Sequence, residues 1–379
     1  MRLTSAFGDP VTARSNDTAL SRLLAPLVKP SVFDFWAGHL NPAWSWERPL
    51  ARVVARHIEA QGTVTLDLKA NRHCAAIQSG QHVNVSAEVN GRRVTRSYSP
   101  TRVSRSGKRL SITVKQVDGG KLSQHLCRQA QLGDVLEIGP AFGDMTLTQA
   151  SQGGAQASGP SLFLAAGSGI TPLMSLTRAL DQAGLTHDLT LVYWARTRAE
   201  LCFVAELRAL AARQPRFKVH FVLTQEAQRL NGEHAERLNA DLLATLVPNL
   251  AQRHVYACGP AGFVDTARAL SLGQARSFVG EAFTLPTPAI SDAIGTVRIN
   301  LALSGRTVEV ATGQALLPAL EALGLSLPSG CRMGICNTCA CPKQTGVTQN
   351  LLSGDKDDAP TSALRLCVSR ACTDLTLDL

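Results

Sequence analysis

This sequence lacks any apolar run long enough to cross a bilayer. A spanning helix needs about 18 or more apolar residues in a row, and polar residues interrupt each hydrophobic stretch of the 379-residue chain well before that length. Residues 1–10 also lack the apolar segment and cleavage site of a signal peptide. We therefore expect a cytoplasmic protein, whose contact with the inner membrane would be peripheral.

The lack of secretory features bears on the chemical state of the ten cysteines. Disulfides persist mainly in secreted and periplasmic proteins, whereas cytosolic thiols stay reduced. We therefore expect the cysteines to bind metal or to be free thiols rather than to form disulfides.

Nucleic-acid recognition motifs are missing as well, although the formal net charge is +9. From Leu285 onward the chain has seven Lys and Arg and eight Asp and Glu. The excess positive charge therefore lies in the residues before Leu285. A basic body attracts phosphate-rich cofactors, acidic partners or membrane surfaces. We expect no nucleic-acid partner.

Four cysteines have the spacing of a plant-type [2Fe–2S] centre. Cys331, Cys336 and Cys339 follow the pattern C-x4-C-x2-C, and Cys367 lies further along the chain. Two bridged irons need four converging thiolates, so three come from one tightly wrapped loop and one from elsewhere. The spacing predicts an iron–sulfur cluster at these four residues.

Glycines and extra cysteines surround this loop. Gly330 and Gly334 let the chain curl and aim N–H groups at sulfur atoms. A structural zinc site is the alternative, but it normally needs two C-x2-C pairs or a later pair of histidines. Residues 295–379 resemble plant-type ferredoxin domains, and that family's pattern implies Cys367, rather than Cys372, as the fourth ligand. We expect Cys372 and Cys341 to be ordinary small residues.

Two linkers divide the chain. A Gly-, Ser- and Gln-rich stretch covers residues 151–160, and a Pro-containing stretch covers 285–288. Short alternating strands before the first linker predict an antiparallel barrel. Between the linkers, strands alternate with helical runs at 198–213 and 240–246, which predicts a parallel α/β sheet. The expected fold is multidomain α/β and β: an N-terminal arm, a flavin-binding barrel, a nucleotide-binding α/β domain and a C-terminal β-grasp ferredoxin domain, at residues 1–47, 48–150, 158–285 and 290–379.

The arm contains three of the four tryptophans, Trp36, Trp44 and Trp46. We expect it to pack these rings against the next domain. A patch that docks on a membrane or on a membrane-bound partner is the alternative, because Trp favours polar–apolar interfaces.

In the barrel, Arg96-Ser97-Tyr98-Ser99 supplies residue types that suit a flavin. On a strand, Arg96 and Tyr98 point to one face and the two serines to the other. An Arg beside a Tyr can hold a phosphate while the ring covers a flat heterocycle, and a neighbouring Ser can hydrogen-bond the heterocycle edge.

A second barrel motif adds a phosphate site. Gly119 and Gly120 open a predicted helix at Lys121-Leu122-Ser123, whose N-terminal amides and Ser123 hydroxyl can face a pyrophosphate.

Together the two motifs resemble the flavin-binding barrel of the ferredoxin–NADP reductase family. The resemblance implies FAD, with Arg96 and the glycine-led helix at the flavin phosphates. It also implies that Tyr98 and the following Ser99 contact the isoalloxazine ring.

The α/β domain starts with a strand, a glycine turn and a helix. Gly167-Ser168-Gly169 forms the turn, and Thr171-Pro172 begins the helix, where proline suits the first turn. Such a turn brings N–H groups close to a phosphate. The third glycine of the usual dinucleotide fingerprint is absent, and the stretch resembles instead the G-x-G-x-x-P version of the reductase family.

The second half of this motif is Cys258-Gly259-Pro260, which follows a later strand of the same domain. A Cys before Gly-Pro is often structural. The resemblance, however, implies that Cys258 lies beside the nicotinamide C4, which makes it a catalytic candidate together with Ser99. The later pair Glu281 and Phe283 resembles the family's terminal segment that returns to the flavin.

Two arginines bear on the choice of nucleotide. Arg196 and Arg198 follow the strand at whose end the adenosine ribose of a dinucleotide would lie. They can pair with a 2′-phosphate, whereas NADH binders often carry an acid nearby. The pattern favours NADPH over NADH.

The three modules together imply one function. NAD(P)H gives up two electrons as a hydride, an iron–sulfur cluster passes one, and a flavin can do both. No general acid, nucleophile or oxygen-activating metal site is apparent, so a partner would perform the terminal chemistry. The module order resembles the reductase components of multicomponent oxygenases, and the arm and C-terminal run resemble bacterial fatty-acid desaturase partners. We expect an NAD(P)H:acceptor oxidoreductase that serves a membrane fatty-acid desaturase, with a soluble aromatic-ring or phenylacetyl-CoA-type oxygenase as the alternative acceptor.

Overall fold

The computed structural model describes residues 29–104, 106–147, 159–283, 295–352 and 354–379. Much of the predicted arm and nearly all of the two predicted linkers lie outside these described residues. No helix in the described ranges is long and apolar enough to span a membrane.

The described part of the arm is helix α1 (Pro30–Leu40) and the turn that follows it. The Asp34 carboxylate accepts hydrogen bonds from the Ser45 hydroxyl (3.0 Å) and the Trp46 N–H (2.6 Å). Phe33 packs edge to face on Trp46, with 5.2 Å between the ring centroids. Three other rings are exposed: Phe35, Trp36 and Trp44. The arm therefore packs only some of its aromatic side chains.

The barrel domain is a seven-stranded antiparallel sheet with the strand order β4-β3-β7-β1-β2-β6-β5. The strands are β1 (Leu50–Ala60), β2 (Thr63–Ala70), β3 (His82–Val89), β4 (Arg92–Tyr98), β5 (Pro100–Val103), β6 (Arg109–Lys115) and β7 (Val135–Phe142), and the helix is α2 (Lys121–Arg128). The two edge strands, β4 and β5, are consecutive in the chain, so their connection at Ser99 curls the sheet into a barrel. Alternate side chains such as Leu66, Val85 and Ile112 are fully buried inside it.

The second domain is a six-stranded parallel sheet covered by helices. Its elements are β8 (Ser161–Ala166), α3 (Ile170–Gln182), β9 (Leu189–Ala195), α4 (Val204–Arg213), β10 (Phe217–Leu223), β11 (Glu233–His234), α5 (Ala240–Leu246), β12 (His254–Gly259), α6 (Ala261–Ser271) and β13 (Ser277–Ala282). The order β11-β10-β9-β8-β12-β13 reverses at β8. Ligands of such sheets bind at the carboxyl ends of the strands beside the reversal.

The predicted extent of one helix in this domain was wrong. Residues 198–213 form a 3₁₀ turn at Arg198–Glu200 and then α4, rather than one helix. The break lies at Phe203, whose φ of 60° is left-handed and cannot continue a right-handed helix.

The C-terminal domain is a mixed five-stranded sheet around one helix. Its elements are β14 (Thr296–Leu301), β15 (Arg306–Ala311), α7 (Leu316–Ala322), β16 (Ala340–Thr345), β19 (Thr361–Arg365) and β21 (Leu375–Leu377), with a small sheet of β17 (Thr348–Asn350), β18 (Lys356–Asp357) and β20 (Ser369–Ala371). Leu316 and Leu320 of α7 are fully buried with Ile299 and Leu377 of the sheet. The cysteine loop lies between α7 and β16, at one end of this β-grasp fold.

Candidate functional site

A cavity of about 440 Å³ lies where the three domains meet. Its lining includes four groups of residues: the β4 stretch Arg96–Ser99, the α2 start with Gly120–Ser123, Ser168 and Thr171 of the nucleotide domain, and Cys331 and Met333 of the cysteine loop. Most residues predicted for the flavin therefore surround one space, and the first cysteine of the loop reaches its wall.

The β4 stretch differs in one respect from the expected alternation. Arg96, Ser97, Tyr98 and Ser99 all line the cavity, although alternation placed the serines on the other face. The bend after Tyr98, where β4 ends, accounts for Ser99, whereas Ser97 lies within the strand and pairs with Asn84 of β3. Burial raises the pKa of Tyr98 well above its usual value, so the phenol stays protonated.

Arg96 lies in a cationic part of the cavity. Burial, and then the nearby charge of Arg332, lower the pKa of Arg96. Its guanidinium donates to the Thr95 carbonyl oxygen at 2.7 Å and otherwise faces the cavity. A half-buried guanidinium in a cavity wall is stabilised by an anion such as a phosphate.

The start of α2 forms a close backbone cradle. The Ser123 hydroxyl donates to the Gly120 carbonyl oxygen at 3.3 Å. A Cβ at Gly120 would come within 2.4 Å of the Ser123 Oγ, so a larger residue there would displace the Ser123 hydroxyl. Gly119 has a φ of 71° and shapes the turn, while Lys121 and Leu122 line the cavity. These groups fit the phosphate end of a flavin nucleotide.

A hydrogen-bonded chain closes the opposite end of the cavity. The Ser99 hydroxyl and His82 Nδ1 are 2.7 Å apart, and His82 Nε2 is hydrogen-bonded to the Glu281 carboxylate. The Phe283 ring lines the cavity, with its centroid 5.9 Å from that of His82. Phe283 thus lines the cavity, and Glu281 is connected to it through His82. Sequence reasoning missed His82, because a histidine in a strand carries no local signal of a partner 199 residues away.

A second cavity, of about 710 Å³, lies at the carboxyl ends of β8, β9 and β12. Gly167, Arg196 and Pro260 line it, and Lys115 lines both cavities. The Lys115 ammonium pairs with Glu200 at 2.6 Å, which ties the barrel to the nucleotide domain. The two cavities are therefore neighbours, as electron transfer from nucleotide to flavin requires.

The glycines of the predicted nucleotide motif are needed for close packing. A Cβ at Gly169 would lie 2.0 Å from the Cys258 carbonyl oxygen, and one at Gly259 would lie 2.8 Å from the Ala166 Cβ. Gly167 has a φ of 55°, which glycine adopts readily. Pro172 and Thr171 are buried in the first turn of α3.

Cys258 is fully buried and does not line either cavity. Burial, and then the nearby Glu281 charge, raise the pKa of this thiol well above its usual value. Phe283 packs against the hydrophobic core that contains Cys258. A nicotinamide would therefore contact the Cys258 side chain only after the residues around it move.

The two predicted nucleotide arginines differ in their surroundings. Arg196 lines the second cavity and pairs with Glu200 at 2.8 Å. Arg198 lies outside the cavity lining, and its guanidinium donates to Glu233 at 2.6 Å. This hydrogen bond lowers the pKa of Glu233, whose side chain is buried. Arg237, which was not predicted, lines the cavity instead.

The four predicted cluster ligands form two pairs of neighbouring thiols. The hydrogen bond between Cys331 and Cys336 lowers the pKa of Cys336 to about 4, and that between Cys339 and Cys367 lowers the pKa of Cys339 to about 7. Among the described residues, no three His, Cys, Asp or Glu side chains converge as they would around one ion. Two pairs suit two bridged irons, each held by two thiolates, better than one zinc ion.

Backbone amides surround these sulfur atoms. The N–H groups of Met333, Ile335 and Cys336 donate to the Cys331 Sγ at 3.3 to 3.4 Å, and that of Gly334 donates to the Cys367 Sγ at 3.2 Å. Amide donors stabilise thiolate charge, as a cluster site needs. Cys341 and Cys372 belong to neither pair.

Comparison with known proteins gives the same three modules. Residues 52–146 match the oxidoreductase FAD-binding domain, 163–269 the oxidoreductase NAD-binding domain and 299–372 the 2Fe-2S iron-sulfur cluster binding domain. An NADPH oxidoreductase of Mycobacterium tuberculosis is 32% identical over 95% of this chain and 92% of that protein. The chain belongs to the ferredoxin reductase-type family of [2Fe–2S] oxidoreductases.

Two further relatives have the same modular organisation. The glycine betaine monooxygenase reductase subunit of Pseudomonas aeruginosa is 27% identical over 86% of this chain and 96% of that protein. The structure of phthalate dioxygenase reductase superposes with a TM-score of 0.58 at 23% identity, covering 87% of this chain and 97% of that one. The expected fold of barrel, parallel sheet and ferredoxin domain is thus confirmed. This family member passes electrons from NAD(P)H through FAD and a [2Fe–2S] cluster.

Proposed function

We propose that this protein is the NADPH-dependent reductase component of an oxygenase system. The observation that carries the proposal is the convergence of the flavin and nucleotide cavities and the cysteine loop. The glycine betaine monooxygenase reductase subunit of Pseudomonas aeruginosa, which is similar in sequence over 96% of its length, supports the proposal. A membrane fatty-acid desaturase, our main expectation from sequence, has less support.

The proposal assigns roles to the predicted residues. Arg96 and the α2 cradle hold the flavin phosphates, while Tyr98 and Ser99 contact the ring. His82 receives a proton from, or passes one to, Ser99, because the two side chains are hydrogen-bonded and Glu281 holds the imidazole. Cys258 would meet the nicotinamide once the residues around its side chain have moved.

Reconstitution tests the choice of acceptor. Reduced protein is mixed with a soluble oxygenase component encoded nearby or, separately, with a membrane desaturase, and substrate-dependent NADPH consumption is measured. We expect coupled turnover with the oxygenase and little with the desaturase. Coupled turnover with the desaturase alone would contradict the oxygenase proposal and restore the expectation from sequence.

Nucleotide selection gives a further prediction. Arg237 and Arg196 line the nucleotide cavity, whereas the charge of Arg198 is already neutralised by Glu233. We therefore expect Arg237→Ala to raise the KM for NADPH about 10-fold with little change for NADH, since a lost phosphate contact is worth about 1.4 kcal/mol or more.

Matched variants separate the candidates in steady-state assays with both nucleotides. Arg229→Ala, an exposed change on the other side of β11, should leave both KM values unchanged. If Arg198→Ala, but not Arg237→Ala, raises the KM for NADPH selectively, the original prediction for Arg198 holds and our assignment of Arg237 fails.

A further inference from the structure

A hydrogen-bonded chain links the flavin cavity to a cluster ligand. The Ser97 hydroxyl, in the cavity wall, donates to Asn84 Oδ1 at 2.6 Å. Asn84 Nδ2 donates to the Thr338 Oγ1 at 3.2 Å, across the boundary between barrel and ferredoxin domain. The Thr338 hydroxyl in turn donates to the Cys336 Sγ at 3.1 Å.

The chemistry of this chain fixes its direction. A thiolate sulfur can only accept a hydrogen bond, so the Thr338 hydroxyl must be the donor to the Cys336 Sγ. The Asn84 side-chain N–H group donates to a lone pair of the Thr338 oxygen. The Thr338 O–H group therefore points away from Asn84 and toward the Cys336 Sγ. The Ser97 hydroxyl donates to the Oδ1 of the same Asn84 amide and so holds that side chain in place. Each member therefore orients the next one.

Gly330 shows that the contact is closely fitted. A Cβ at this buried residue would lie 2.9 Å from both the Cys336 Sγ and the Thr338 Oγ1, and 3.0 Å from the Asn84 Nδ2. Glycine thus allows the cysteine loop to approach the barrel, in addition to letting the loop curl.

We propose that Asn84 and Thr338 form a bridge that positions the cluster against the flavin and raises the cluster's reduction potential. The inference depends on the cofactor set of the family and not on the identity of the acceptor. A hydrogen bond to a ligand sulfur favours the reduced cluster, which carries one more negative charge. The bridge also fixes the distance that the electron crosses.

The electron balance of this step is simple. The NADPH hydride supplies an electron pair to the flavin. One of these electrons reduces one ferric iron to ferrous iron, and the second follows when the acceptor has taken the first. Asn84 and Thr338 are positioning residues in this step, because neither gains nor loses an electron.

Three variants separate the two roles of the bridge. Thr338→Val removes the donor to Cys336, so the cluster midpoint potential, measured by an EPR-monitored redox titration, should fall. Thr338→Ser keeps the hydroxyl and should restore the wild-type potential. Asn84→Ala leaves the cysteine loop unchanged but releases it from the barrel. We expect the flavin-to-cluster step in anaerobic stopped-flow to slow about 10-fold, the scale of losses from outer-shell partners.

Controls make the result decisive. Flavin reduction by NADPH should keep its wild-type rate in every variant, and iron and sulfide contents show whether the cluster is assembled. The exposed residues Thr345 and Asn300 offer matched changes, Thr345→Val and Asn300→Ala, which should alter neither readout. The proposal is overturned if Thr338→Val keeps the wild-type potential or if Asn84→Ala keeps the wild-type transfer rate. No oxygenase is present in these measurements, so they stand apart from the test of the acceptor.

Discussion

Replacing Cys339 with Ser should abolish reduction of one-electron acceptors while leaving reduction of the flavin by NADPH intact. Cys339 pairs with Cys367, and the loss of one of four thiolates opens the cluster site. Without the cluster, electrons reach the flavin but have no one-electron carrier to the acceptor. Cytochrome c reduction should fall to the background level, measured beside anaerobic bleaching of the flavin by NADPH.

Cys372→Ser is the matched control for this experiment. Cys372 lies in the same domain but belongs to neither thiol pair, so its replacement should keep cytochrome c activity and iron content. Wild-type cytochrome c reduction by the Cys339→Ser protein would contradict the ligand assignment. Loss of the cluster in the Cys372→Ser protein alone would mean that the fourth ligand was misassigned.

Replacing Arg96 with Ala should yield protein that purifies largely without flavin. The half-buried guanidinium lines the flavin cavity, where a flavin phosphate can accept hydrogen bonds from it. A charge-assisted hydrogen bond of this kind contributes about 1.5–3 kcal/mol, so flavin affinity should fall by about 10- to 100-fold. The measurement is the ratio of flavin to protein absorbance, followed by titration of the apoprotein with FAD.

Arg92→Ala provides the control on the same strand. Arg92 is exposed at the start of β4, far along the strand from the cavity wall, and its replacement should leave flavin occupancy unchanged. Full flavin occupancy in the Arg96→Ala protein would remove Arg96 from the phosphate site. A loss in both variants would indicate damage to β4 rather than to the phosphate contact.

The features that sequence could predict are those whose residues are close together in the chain. The cysteine loop is predicted by the spacing of three residues, and the helix at 240–246 by a local apolar pattern. Asn239 caps that helix by accepting a hydrogen bond from the Leu242 N–H, so this contact is local as well. The strand Leu50–Ala60 was not predicted, because bulges interrupt its register with β2 and so obscure the alternation.

The features that sequence could not supply depend on distant partners. His82 meets Glu281, and Asn84 meets Thr338 from 254 positions away, so neither contact leaves a local pattern. The same limit applies to nucleotide selection. Arg198 looked suitable because it follows a strand end, but only the fold reveals that Glu233 binds its guanidinium. The identity of the electron acceptor leaves no local pattern either, because it depends on the surface of another protein.

The most direct test of the account is an anaerobic reductive titration of the purified holoprotein. A chain that holds one flavin and one [2Fe–2S] cluster should take up about three electrons, two on the flavin and one on the cluster. NADPH alone should produce the EPR signal of a reduced cluster. Uptake of only two electrons, with neither iron nor acid-labile sulfide in the protein, would contradict the account.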